Sequence, residues 1–285
     1  MTNSIAHAVL LVVLADGVLT FMDALIKGLT TRYSALQIAY LRFAFGSVVA
    51  MAMWGVLRPP LPNRASIMAN GLRSVVIAVT ATSFFFALSR LPFANCAALT
   101  FLSPLFIALF GAAFLKEELN PRIGIALGVG FAGMVVMLAG DVTFTEMGSS
   151  AWVGAAAAVL AAITYALNVI ILRARATKDP VPTIVLFQNI GPAFILALPA
   201  FTVWQPLSGA DTVTFALIGC LGVGGHFLLA HAFAMAPASS LAPVGYVVLV
   251  WAAIFGVIFF GELPSTAAVA GALFIVLGTW LAHKR

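Results

Sequence analysis

The sequence predicts an all-α integral membrane protein, with ten transmembrane helices in two inverted-topology five-helix repeats. Three observations carry that prediction. First, the 285 residues are 63% hydrophobic and 8% charged, with a mean hydropathy of +1.13. A soluble domain is roughly 45–50% apolar and about 25% charged, so this chain cannot cover a water-facing surface. Second, its apolar stretches run about 20 residues, the length that crosses about 30 Å of hydrocarbon as helix, without the dyad alternation of a membrane β-barrel. Third, a shift of 145 residues lays the second half on the first, Phe114 on Phe259, Glu117 on Glu262, Gly111 on Gly256 and Pro92 on Pro237.

Polar or Pro/Gly breaks delimit the spans in order. Residues 5–26 follow "MTNSIAH", which has no Lys or Arg and so no signal-peptide n-region. The second and third spans, 33–57 and 66–89, flank "LRPPLPNR", and the fourth, 92–115, ends at "KEELNP". There Asn120 and Pro121 read as N-cap and first residue of the fifth span, 121–140. The sixth and seventh spans, 150–173 and 181–201, are parted by "RARATKDP", and "TVWQPLSGAD" precedes the eighth, 213–235. The ninth, 238–260, ends at "GELPS", where Ser265 reads as the N-cap of the tenth, 266–282. The connections are too short for a soluble domain. The repeats are placed at 1–140 and 146–285, and an odd number of spans in each forces the second to enter from the opposite face.

Basic residues orient the chain. With both termini in the cytoplasm, nine Lys and Arg fall on the inside (58, 64, 116, 122, 173, 175, 178, 284, 285), against Lys27, Arg32 and Arg90 outside. This accounts for the net charge of +5 and pI near 9.6 without nucleic acid. Cys96 and Cys220 lie in apolar spans and read as small core residues, not a disulfide. Glu117 and Glu262 precede equivalent helix starts, where a carboxylate is favoured by the helix dipole. Inversion puts them on opposite faces, which excludes a catalytic pair. Inverted repeats are the architecture of secondary transporters, with the solute held near the midplane.

The segment "ALSRLPFANCAALTFLSPLFIALFGAAFLKEEL" (87–119), with "YLRF" at 40–43 and "FFGELPS" at 259–265, resembles EamA-type members of the drug/metabolite transporter superfamily over the whole chain. Within that family the pattern is most similar to YddG-type exporters of aromatic and other neutral amino acids. The resemblance implies a non-enzymatic secondary exporter in a bacterial inner membrane, working by alternating access. It implies no cofactor, no metal and no ATP hydrolysis, and the sequence has no GxxxxGK[ST] loop. The expected partners are the lipid bilayer and a small amphipathic or aromatic amino acid, and a monomer meets the sequence's requirements. A multidrug or other metabolite carrier is the alternative reading, and an intramembrane enzyme the distant one.

Charges at membrane depth are costly and face the bundle interior. Asp16, mid-way along the first span, reads either as a proton-coupling or amine-binding carboxylate or as a helix lock. Asp23 stands at i,i+4 from Lys27 and is expected to pair with it. Arg42 and Arg73 are expected to be structural, with recognition of a solute carboxylate as the second reading. The glycine-rich "GCLGVGGHFLLAHAF" holds His226 near the midplane and His231 deeper, at a spacing that does not suit a metal pair. Thr80, Ser83, Phe84, Phe101, Ser103, Tyr165, Tyr246 and Trp251 complete the expected solute site with Asp16 and His226. Pro104 and Pro243 are expected to kink the fourth and ninth spans.

Overall fold

The computed structural model describes residues 2–90, 99–100, 102–118, 121–138 and 149–260, and the single positions 266, 270, 273, 274 and 277. The helices are α1 (Thr2–Leu29), α2 (Ala35–Leu57), α3 (Arg64–Arg90), α4 (Ser103–Leu115), α5 (Pro121–Leu138), α6 (Ser149–Ala176), α7 (Val181–Phe201) and α8 (Gly209–Met235). The next run comprises α9 (Ala238–Leu241), a 3₁₀ turn (Ala242–Tyr246) and α10 (Val247–Phe260). Among the described residues seven stretches are long and apolar enough to cross a membrane: α1, α2, α3, α6, α7, α8 and the run 238–259. The shorter apolar α4 and α5 lie in the fourth and fifth expected spans. Most of the tenth span, Met1, Pro92, Cys96, Asn120, Glu262 and Ser265 lie outside the described residues. Phe194 and Leu198 on α7 are 83% and 79% exposed, a placement that lipid rewards and water does not.

Local chemistry sets the helix ends. Ser34 and Ser208 cap α2 and α8, each hydroxyl accepting from the backbone N–H three residues on. The Ser208 cap starts α8 four residues before the expected apolar boundary, because a capped helix outruns its lipid-facing stretch. Pro121 is the first residue of α5, where its missing N–H costs nothing. Pro243 interrupts the ninth span as expected, tightening 242–246 into the 3₁₀ turn. Pro104, expected as a kink, instead stands in the first turn of α4 and starts the described helix.

Helices from the two halves of the sequence interleave. The most extensive contacts are α3 with α6, α1 with α8 and α2 with α7, followed by α2 with α8 and α3 with α7. Small residues permit these crossings. A Cβ on Gly219 of α8 would lie 2.7 Å from the Gly46 nitrogen and 2.8 Å from the Phe45 carbonyl carbon of α2. Gly191 of α7 meets the Ser74 side chain of α3 in the same way. Gly46 and Gly191 are separated by 145 residues, as are Ser74 and Gly219.

Two main apolar clusters fill the ends of the bundle. One gathers Val12, Ile107, Leu127, Val169, Leu229 and Tyr246, and the other Met22, Ile38, Phe43, Ile77, Phe85 and Phe215. Polar ties close each end. Tyr33 donates to Asp211 Oδ2 at 2.7 Å, Arg32 joins the same carboxylate, and Gln37 and Gln205 exchange hydrogen bonds at 2.7 and 2.9 Å. At the opposite end Asp179 takes an ion pair from Arg175 and a hydrogen bond from Asn70 at 2.9 Å.

Candidate functional site

A cavity of about 330 Å³ lies where these clusters meet, lined by residues of α1, α2, α3, α4, α6, α7, α8 and α10. Its wall is largely apolar, with Phe84, Phe85 and Phe255 among the lining side chains. α1 supplies more of the polar groups than any other helix. Asp16, Thr20, Asp23 and Lys27 all line the cavity, and their i, i+4, i+7, i+11 spacing puts them on one helix face. Thr20 turns its hydroxyl back onto the Asp16 carbonyl at 2.7 Å. The Asp16 side chain is therefore not held by its neighbour. Oδ2 of this 6%-exposed residue is buried without a hydrogen-bond partner.

The facing helices supply a cation and a base. Arg42 of α2 lines the cavity with Nε 3.4 Å from Met22 Sδ and its guanidinium carbon 4.5 Å above the Phe43 ring. Asp23 lies within electrostatic reach of it. His226 of α8 sets Nδ1 2.8 Å from the Gly222 carbonyl. A carbonyl only accepts, so Nδ1 carries the hydrogen, and in the neutral ring Nε2 keeps its lone pair. His231 makes the equivalent bond to Phe227 and packs on that ring instead of the cavity.

Of the expected solute site, Asp16, Thr80, Phe84, Ser103, Tyr165 and His226 line this one cavity. Ser83, Tyr246 and Trp251 fall outside its lining. Tyr246 is fully buried against Gly130, and Trp251 donates to the Val13 carbonyl at 2.9 Å while packing on Gly17. The 3₁₀ turn changes which face of the ninth span looks inward, and a sequence period carried through Pro243 cannot register that. Phe101 lies outside the described residues.

Arg73 is placed as a crosslink. Its Nε donates to Asn168 Oδ1 at 2.8 Å and Nη2 to Gln188 Oε1 at 2.5 Å, joining α3, α6 and α7. Its Nη1 is buried without a partner, yet Arg73 does not line the cavity, whereas Asn168 and Gln188 do. Sequence reasoning left out Thr20, Asn168 and Gln188 and did not place Asp23 in the solute site. The polar stripe along α1 was the available signal for Thr20 and Asp23.

Glu117 closes one end of this arrangement. Its carboxylate accepts the backbone N–H of Ala238 at 3.0 Å and of Ser239 at 2.8 Å, at the start of α9. Arg173 lies 3.6 Å from the same carboxylate and donates to the Phe233 carbonyl. Gly111 makes the room, since a Cβ there would stand 3.0 Å from Glu117 Oε2. The expectation that Glu117 serves the start of the fifth span is corrected here. Left-handed Lys116 (φ 55°) turns the chain so that the carboxylate reaches the ninth span instead.

A largely apolar wall with a few convergent polar groups suits a small organic solute. The family profile of EamA-like transporters matches residues 6–139 and, a second time, residues 152–283. The chain belongs to the EamA-like transporter family. Similar to this EamA-like chain is the S-adenosylmethionine uptake transporter of Rickettsia bellii, 27% identical over 90% of this chain and 86% of that protein. So is the pseudopaline exporter of Pseudomonas aeruginosa, 27% identical over 94% and 93%. A solved crystal structure shares the fold at a TM-score of 0.83 and 22% identity, over 96% of this chain and 97% of that one. The EamA-like chain is thus a multi-pass membrane transporter of small solutes. Neither named relative is described as an aromatic amino-acid exporter.

Proposed function

We propose that the protein is a secondary exporter of small amphipathic organic solutes in a bacterial inner membrane, with both termini cytoplasmic. It works by alternating access between two inverted five-helix halves. The observation that carries the reading is the cavity, with its apolar wall, its polar stripe on α1 and the Glu117 tie at one end. The inverted duplication is supported by the two family matches and by packing that repeats under the 145-residue shift: α1 on α8 answers α6 on α3, and Gly46 on Gly219 answers Gly191 on Ser74. The Glu117 tie stands at the cytoplasmic end by the basic-residue rule.

Amino acids, aromatic ones first, are the leading solutes, because phenyl and indole side chains match a wall containing Phe84, Phe85 and Phe255. The test is flux in proteoliposomes holding the purified protein, with labelled phenylalanine, tryptophan, threonine and a cationic drug. Protein-dependent movement of at least one is expected, and movement of none sinks the reading. With an imposed pH gradient, full gradient-driven flux in Asp16→Asn removes Asp16 as the coupling group.

A further inference from the structure

We infer that Asp16, His226 and Arg42 form an oriented subsite for an α-amino-acid head, with the ammonium at Asp16 and His226 and the carboxylate at Arg42. The inference rests on the transport reading above and specifies what the cavity recognises. Helix register supplies the geometry. Gly222 of α8 lies beside Met22 of α1 and beside the Arg42 guanidinium, while Gly225 lies against Leu19. The antiparallel pair therefore brings His226 to a level between Asp16 and Met22. Arg42, whose Nε contacts Met22, marks the other end of that ladder. Asp16 and Met22 are six residues apart, about 9 Å along the helix axis.

The reach of an amino-acid head is comparable with that axial rise. Its ammonium nitrogen and carboxylate oxygens are about 3 Å apart by covalent geometry. A charge-assisted hydrogen bond of about 2.8 Å at each end brings the span to about 8–9 Å. The groups are chemically right as well. Asp16 Oδ2 is a buried acceptor lacking any partner, and His226 Nε2 has its lone pair free once Nδ1 serves Gly222. Arg42 reaches the cavity with one nitrogen on a thioether, a weak acceptor that a carboxylate readily displaces. Asp23, near Arg42, raises the requirement for a correctly directed anion, since a misplaced carboxylate would meet like charge.

A cross between solute and protein variants tests this. Against labelled phenylalanine flux in proteoliposomes, unlabelled phenylalanine should compete at least tenfold better than 3-phenylpropionate, which lacks the ammonium, or phenylalaninamide, which lacks the carboxylate. Asp16→Asn should shrink the 3-phenylpropionate gap to within about threefold and leave the amide gap. Arg42→Gln should do the reverse, and Arg42→Lys should keep part of it. Variants enter the comparison only if monodisperse with unchanged melting temperature, and the wild-type panel alone decides if none qualifies. If truncated analogues compete as well as phenylalanine, or Asp16→Asn closes both gaps alike, the subsite is overturned. If only the cationic drug moves, the subsite falls while transport stands, and if nothing moves the transport reading itself falls.

Discussion

The Glu117 carboxylate lies 2.8 Å from the backbone nitrogen of Ser239, joining residues 122 positions apart. The bond ties the end of α4 to the start of α9, helices from different halves of the sequence. Charge-assisted bonds of this kind contribute about 1.5–3 kcal/mol each when buried. A tie of that size holds an end shut without locking it.

Removing the carboxylate should therefore favour opening at that end. Glu117→Ala is expected to raise, several-fold, the rate at which an impermeant maleimide labels a cysteine placed at Ser240, in a chain whose Cys96 and Cys220 are replaced. Glu117→Gln, which retains one acceptor oxygen, should fall between. An unchanged labelling rate in Glu117→Ala would show that other contacts keep this end shut.

Asp179 gives the fold an acid limit. Burial pushes its carboxyl up, but hydrogen bonds from Arg175, Ser66 and Asn70, with the Arg175 charge, outweigh burial and hold it below the ordinary carboxylate range. A depressed carboxyl contributes stability that is present above its unfolded value, about pH 3.9, and lost as pH falls through the folded value. Thermal unfolding in detergent should show this loss, and Asp179→Asn should flatten the acid limb while lowering stability near neutrality.

The tie at the other end divides unequally between its donors. Tyr33 is buried and bonds Asp211 at 2.7 Å, whereas the Arg32 side chain is 54% exposed and its ion pair is screened. Tyr33→Phe should lower the melting temperature more than Arg32→Ala does. The bond to Asp211, then burial, raises the Tyr33 phenol above its usual value. Its contribution is thus complete below about pH 10 and lost as pH rises through the folded value, an alkaline limb that Tyr33→Phe should abolish.

Glycines on a single helix should separate by contact. Gly219→Ala would drive a methyl into the α2 backbone and is expected to cost about 1–3 kcal/mol. Gly224→Ala, with open space at its Cβ, should be neutral or stabilising by up to about 1 kcal/mol. Equal melting temperatures for the two variants would count against close α2–α8 packing.

Much of this was legible in the chain. Composition and span length specified a membrane protein, Pro121 marked a helix start, Pro243 a break, and Asp16 and His226 stood out as costly groups at membrane depth. What escaped was everything set by contacts between helices. The partners of Arg73, on α6 and α7, lie 95 and 115 residues away, and no local period encodes them. Glu117 looked like a mark before α5 because its partner starts the fourth helix beyond the sequence midpoint. Tyr246 and Trp251 looked like cavity aromatics until the 3₁₀ turn redirected them.

The interleaving of α1 with α8, α2 with α7 and α3 with α6 has a consequence for how such a chain comes into being. The family signature divides the protein near residue 145, but among the described residues the most extensive contacts cross that division. Among the described residues each half offers its most extensive surfaces to the other. The faces of α1 and α3 that pack on α8 and α6 therefore meet their partners only once the second half has been synthesised.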